Sequence, residues 1–271
     1  MFARLFGKKS AVEPATSRIP DGERVYAIGD VHGCNALLID LLEQIDADDA
    51  ARSAAHTTVI FLGDLMDRGP DSAGVIETAI AYRERAEAMG TAVRFLMGNH
   101  EEMFLDSVSG DARAVRYFIK YGGRETILSY GIDDDRYNEL DMDQLACELL
   151  NIVPRSHADF VRDFEEAIVI GDYVFVHAGI RPGVPIDAQK PKDMRWIRAD
   201  FLASSAPHEK MVVFGHTIFD DVDRPGNRIG VDTGAYRTGI LSAIGLQGSD
   251  QWILQAKGVA NPKASKAEWA G

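Results

Sequence analysis

The chain has 271 residues, 46% of them hydrophobic and 26% charged, proportions of a folded globular protein that exclude disordered, collagen-like and membrane-spanning classes. Its length is ample for one large core, alone or with a sizeable insertion. The 29 basic and 42 acidic residues leave a formal charge of −13, which repels nucleic acid and anionic lipid, so a phosphorylated substrate needs a local positive centre.

Residues 1–20 begin with Phe2, Leu5 and Phe6 beside Lys8-Lys9, lack the apolar run of a signal peptide, and read as a loose tail without stable membrane insertion. A buried strand is expected over 25–28, ending in Gly29-Asp30, with a helix over 36–45. A second strand over 58–62 again ends in Gly-Asp, and a helix follows over 72–88 with Val75, Ile76, Ala79 and Ile80 on one face. A third strand over 92–97 runs into Gly98-Asn99. Three strands thus deliver a glycine and then a polar residue at their carboxyl ends, where open α/β sheets place ligands.

Residues 111–155 change character and read as a helical insertion, with a helix over 145–152 stopped by Pro154. The strand pattern resumes over 167–170 and 173–176, a hairpin around Gly171-Asp172, and continues over 211–214, 228–231 and 239–246. The closer spacing of these later strands suits a second, mixed sheet packed on the first. Residues 257–271 read as a second loose tail. Cys34 and Cys147 build no disulfide framework, Cys147 being expected in the core and Cys34 as a small packed residue. A cytoplasmic location is expected.

The chemistry concentrates in five segments: Gly29-Asp30-Val31-His32-Gly33, Gly63-Asp64-Leu65-Met66-Asp67-Arg68-Gly69, Gly98-Asn99-His100-Glu101, Val176-His177-Ala178-Gly179 and Phe214-Gly215-His216-Thr217. Four of the seven histidines lie in them; His56, His157 and His208 lie elsewhere, in polar contexts, and read as surface residues. Asp30 and His32 stand two apart and share a side, so one cation can take both. Oxygen and imidazole ligands without thiolates suit Mn, Fe, Zn or Ni. Six candidate ligands are too many for one tetrahedral ion and suit two ions sharing a carboxylate, a pair that clamps a phosphoryl group at a separation of about 3.5–4 Å. Taken singly, Asp30 could cap a helix, His177 could be a satisfied core histidine, and Arg68 or Arg198 could be solvated; their joint occurrence is what favours a site.

The ordered set resembles the calcineurin-like metallophosphoesterases and, within them, the phosphoprotein phosphatases of bacterial and lambda-phage type, over about residues 25–246. The resemblance implies Asp30 and His32 on a first metal, Asp64 as bridge, and Asn99, His177 and His216 on a second. It also implies a bridging hydroxide attacking phosphorus, His100 protonating the leaving oxygen with Asp67 orienting it, and Arg68 clamping phosphate. A second phosphate-binding arginine is expected in Arg195-Trp196-Ile197-Arg198, with Arg198 favoured over Arg195. The stretch from Tyr121 to Thr126 resembles an element lining the family's site, and Asp232-Thr233-Gly234-Ala235 a late family motif. The chain carries Arg237-Thr238-Gly239 where the family often has a Gly-Gly pair, which leaves substrate contacts near Tyr236 open.

Pattern and resemblance together predict an α/β fold: two packed mixed β-sheets flanked by helices, an αββα sandwich with a helical insertion, forming one domain over 21–256. The expected function is a metal-dependent phosphomonoester hydrolase holding two divalent ions, manganese foremost, and acting as a serine/threonine protein phosphatase on phosphorylated protein or a small phosphoester. The alternative is a symmetrical diadenosine tetraphosphate hydrolase. A non-catalytic scaffold is disfavoured because every ligand position and His100 are kept.

Overall fold

The computed structural model describes residues 17–261. Strands β1 (Glu23–Ile28), β2 (His56–Phe61) and β3 (Ala92–Phe95) pair in parallel, with helices α1 (Asn35–Ala51) and α2 (Ser72–Ala88) as the crossovers that parallel pairing requires. Helix α3 (Asn99–Ser107) leaves β3. The insertion holds α4 (Ala112–Phe118), α5 (Arg124–Ser129), α6 (Asp134–Glu139), α7 (Met142–Ile152) and α8 (Arg155–Arg162). There follow β4 (Ala167–Ile170), β5 (Tyr173–Val176), short helices α9 (Pro191–Trp196) and α10 (Ala199–Leu202), β6 (Met211–Phe214), β7 (Arg228–Gly230) and the one-turn α11 (Ala235–Thr238). The hairpin β8 (Ile240–Gln247) and β9 (Asp250–Lys257) completes the fold.

The strands form a five-stranded sheet, β3-β2-β1-β8-β9, and a four-stranded sheet, β4-β5-β6-β7, both mixed. Alternation along β1 explains the layering. Val25 and Ala27 point between the sheets with Ile60 and Ile244, meeting Phe175, Val213 and Ile229. Tyr26 and Ile28 point the other way, against Leu38, Leu41, Val75 and Ile76 of α1 and α2. The outer face of the second sheet packs Val174, Val176 and Phe214 under Met194, Ile197 and Phe201. The αββα sandwich read from the sequence is the observed architecture.

Several boundaries differ. Helix α1 continues six residues past the expected Ile45 because its acidic end has tertiary partners: Asp46 accepts from the Tyr82 hydroxyl, Asp48 from Tyr26 and Trp252, and Asp49 from Arg24 and Thr57. Strand β9, which the sequence reading did not name, pairs with β8 along its whole length. Cys147 is exposed rather than in the core, because α7 turns Leu145, Ala146 and Leu149 inward. His157 is buried rather than at the surface, its Nδ1 3.0 Å from the Tyr130 hydroxyl. Of the two expected tails, residues 1–16 and 262–271 lie outside the described residues. Ile19 is buried and its N–H donates to Gly248 O at 2.8 Å. No helix among the described residues is long and apolar enough to cross a membrane.

Candidate metal centre

The carboxyl ends of β1, β2, β5 and β6, with the amino end of α3, converge at one edge of the sandwich. They carry Asp30 and His32, Asp64, His177, His216, and Asn99 with His100. Two glycines make room: a Cβ on Gly98 would lie 2.3 Å from Asp64 Oδ1, and one on Gly215 would lie 2.1 Å from Asp30 Oδ1. Among the described residues, the non-glycine positions with left-handed φ are His32, Asp64, Asp67, Arg68 and His216. Such backbone costs about 1–3 kcal/mol per residue and concentrates where a site must be shaped.

Donor atoms converge accordingly. His32 Nδ1 and His177 Nδ1 each lie 2.8 Å from a carbonyl oxygen, of Met66 and Leu62. A carbonyl only accepts, so each Nδ1 donates and each Nε2 faces the cluster. His177 Nε2 lies 3.1 Å from Asn99 Oδ1, 3.2 Å from His216 Nδ1 and 3.4 Å from Asp64 Oδ1. The other oxygen, Asp64 Oδ2, lies 3.6 Å from His32 Nε2 and 3.9 Å from His100 Nε2. Asp30 Oδ2 is 4.0 Å from His32 Nε2, and both its oxygens accept the His216 N–H. Each of two triads, His32–Asp64–His100 and Asp64–His177–His216, keeps its ligand atoms within 4.8 Å of one another.

The electrostatics fit cations. Asp30, Asp64, Asp67, Glu101 and Asp232 are each no more than 2% exposed, a concentration of buried negative charge that demands compensation. Burial alone would lower the His177 pKa, yet Asp64, with Asp30 and Glu101 behind it, overrides burial and raises it to about 10. Burial, then Asp232, raises Asp30 well above the usual carboxylate range; burial also pushes Asp232 up to about 6. The pocket favours positive charge, which protons or divalent ions can supply. Imidazole, carboxylate and amide donors around one shared carboxylate fit a binuclear centre of borderline divalent ions.

Two arginines edge the cluster. Arg68 donates to His32 Nε2 through Nη1 and to His100 Nε2 through Nη2, both at 2.8 Å, and lies over the Tyr236 ring at 5.2 Å. Arg198 Nη2 lies 3.1 Å from His216 Nε2. His100 Nδ1 is 2.6 Å from Asp67 Oδ2, which fixes the ring with Nδ1 as donor and Nε2 toward Arg68. Burial holds His100 neutral, well below the usual histidine range.

All six expected metal ligands come together, with His100, Asp67, Arg68 and Arg198 beside them. Arg195 does not join them: it pairs with Glu166 and, through Nη1 at 3.0 Å, with Glu102. Two roles escaped the sequence reading. Glu101 accepts the N–H groups of Asp64 and Leu65 at 2.8 Å and of Gly98 at 2.9 Å, tying the second and third segments together. The Thr126 hydroxyl donates to Asp67 Oδ1 and, with Ser72 Oγ, accepts the Asp67 N–H. The signal for Glu101 was its place three residues after Gly98, a capping-box position; Thr126 lay in a stretch already marked.

Comparisons with known proteins bear on the family and the fold. The symmetrical bis(5'-nucleosyl)-tetraphosphatase of Janthinobacterium sp. (strain Marseille) is 31% identical over 157 residues, 58% of this chain and 44% of that protein. The asymmetrical bis(5'-nucleosyl)-tetraphosphatase PrpE of Anoxybacillus flavithermus (strain DSM 21510 / WK1) is 25% identical over 240 residues, 80% of this chain and 88% of that protein. Matches to the symmetrical relatives thus cover less than half of those chains in the Janthinobacterium case. A provisionally named diadenosine tetraphosphatase of known structure superposes with a TM-score of 0.59 at 21% identity, covering 90% of this chain and 96% of its own. A serine/threonine phosphatase from Saccharomyces cerevisiae gives 0.57 at 15% identity, covering 89% and 82%. At those identities the likeness is one of fold. The profile of the calcineurin-like phosphoesterases matches residues 23–237, most of the chain and every segment of the cluster, and the protein therefore belongs to that family of hydrolases.

Proposed function

We propose that the chain hydrolyses dinucleoside polyphosphates, of which diadenosine tetraphosphate is the representative, rather than phosphoproteins. In this reading Asp30, His32 and Asp64 hold one divalent ion, and Asp64, Asn99, His177 and His216 hold the other. Two such ions polarise a phosphoryl oxygen and bring the pKa of water near 7. Arg68 and Arg198 bind phosphate oxygens, and His100, held by Asp67 through Nδ1, presents Nε2 as the atom that exchanges a proton with the leaving oxygen once phosphate draws Arg68 away from it.

The observation that carries the substrate class is a cavity of about 530 Å³ that begins at Arg68 and runs over Tyr236 and Pro70 to Leu37, Ile39 and Val259. Its volume is that of a small-molecule pocket, and its mix of one aromatic, aliphatic walls and a guanidinium at the mouth suits a nucleoside joined to phosphate. The names of the curated relatives support the same class. The test is a substrate panel with the manganese-loaded enzyme: diadenosine tetraphosphate should exceed a phosphoserine peptide in kcat/KM by at least about a hundredfold. Two molecules of ADP are the expected products, ATP with AMP marking asymmetrical cleavage instead. Phosphopeptide turnover equal to or above that of the nucleotide overturns the proposal.

A further inference from the structure

Helix α11 sends consecutive residues to two different cavities. Tyr236 lines the large one already described, while Arg237 lines a second of about 210 Å³ with Arg198, His216, Thr217 and Ile218. Consecutive helical positions point about 100° apart, so one turn of helix can serve both. We infer that this second cavity is a subsite for a further phosphate of a polyphosphate chain, with Arg237 and Thr217 as its specificity-determining residues and Arg198 shared with the cluster. The inference rests on the polyphosphate reading above and names which residues tell a chain of phosphates from a single one.

Three observations carry it. The lining holds two guanidinium groups and a hydroxyl but no carboxylate, the composition expected around an anion. The Thr217 hydroxyl oxygen is buried without a hydrogen-bond partner in the protein, and a buried hydroxyl left so is costly unless a ligand or water completes it. The cavity is also continuous with the cluster through one imidazole: His216 Nδ1 lies 3.2 Å from His177 Nε2, and His216 Nε2 lies 3.1 Å from Arg198 Nη2. A chain with one phosphorus at the cluster therefore passes Arg198 and enters the space that Arg237 and Thr217 bound. That space has room for on the order of seven water molecules.

The backbone holds Arg237 in place. Its carbonyl accepts the Asn261 N–H at 3.0 Å and its N–H donates to Gly234 O at 2.9 Å. Gly234 supplies the left-handed φ of 70° at the helix start, and Asp232 Oδ1 accepts its N–H at 2.8 Å.

Calorimetric titration of the manganese-saturated full chain with inorganic triphosphate and with orthophosphate tests this directly. The ratio of the two affinities should fall about tenfold in Arg237→Gln and recover in large part in Arg237→Lys, while Thr217→Val lowers it about threefold without changing side-chain shape. An unchanged ratio in Arg237→Gln, or a Lys variant no better than Gln, overturns the inference. Wild-type enzyme that shows the triphosphate preference, with the loss in Arg237→Gln, yet leaves diadenosine tetraphosphate uncleaved refutes the proposed substrate and keeps the subsite.

Discussion

Asp64 turns its two oxygens to different partners, Oδ1 to His177 and Oδ2 to His32 and His100. An amide in its place keeps the shape and removes the anion that two cations would share. Asp64→Asn should therefore lose both ions together, each by more than the roughly 10–100-fold that removal of a supporting hydrogen bond costs, read by elemental analysis after gel filtration. Retention of two ions per chain counts against a bridging carboxylate. His100 separates the candidate substrates by their leaving groups. An alkyl ester needs a proton on its departing oxygen, so His100→Asn should slow a phosphoserine analogue by about 10²–10⁴-fold. A nucleoside diphosphate departs as a stable anion, and the same variant should slow dinucleoside tetraphosphate hydrolysis by less than about tenfold. Equal losses on both remove His100 from the proton-carrying role.

Elements reveal what a linear reading can and cannot reach. The strand ends were legible because a glycine and then a ligand type after an apolar run is a local pattern, and the helix over Ser72–Ala88 was legible from its apolar spacing, which the structure completes with an Asp71 cap. The choice between Arg195 and Arg198 rested on distant residues: Glu102 of α3 and Glu166 before β4 claim Arg195 and leave Arg198 nearer the cluster. Strand β9 escaped because its register is dictated by β8 rather than by its own alternation, and burial of His157 depends on where α8 docks beside α2, α3 and the Tyr130 ring. That histidine offers a check. Burial, opposed by Glu77, lowers its pKa, so below about pH 6.5 the unfolded chain binds a proton that the folded one resists, and stability falls with pH. His157→Gln should narrow the Tm difference between pH 7.5 and 5.5 by about 2 °C or more; an unchanged difference shows that the ring titrates freely in the fold.

Across the whole molecule, a formal charge of −13 coexists with a cluster whose buried carboxylates repel one another. Divalent ions bind only the folded arrangement, so saturating manganese should raise Tm by on the order of 10 °C over chelator-treated protein, the shift expected when ligand exceeds Kd about a thousandfold. No shift in a scan with and without chelator contradicts a resident metal pair. The cluster also straddles the two sheets: Asp30, Asp64 and Asn99 follow strands of the five-stranded sheet, whereas His177 and His216 follow strands of the other. A growing polypeptide consequently lacks a full coordination sphere until the ribosome has passed position 216 and both halves have closed on each other. On the proposed two-ion reading, ion capture then comes late in maturation, riveting a seam that no fragment ending before His216 possesses.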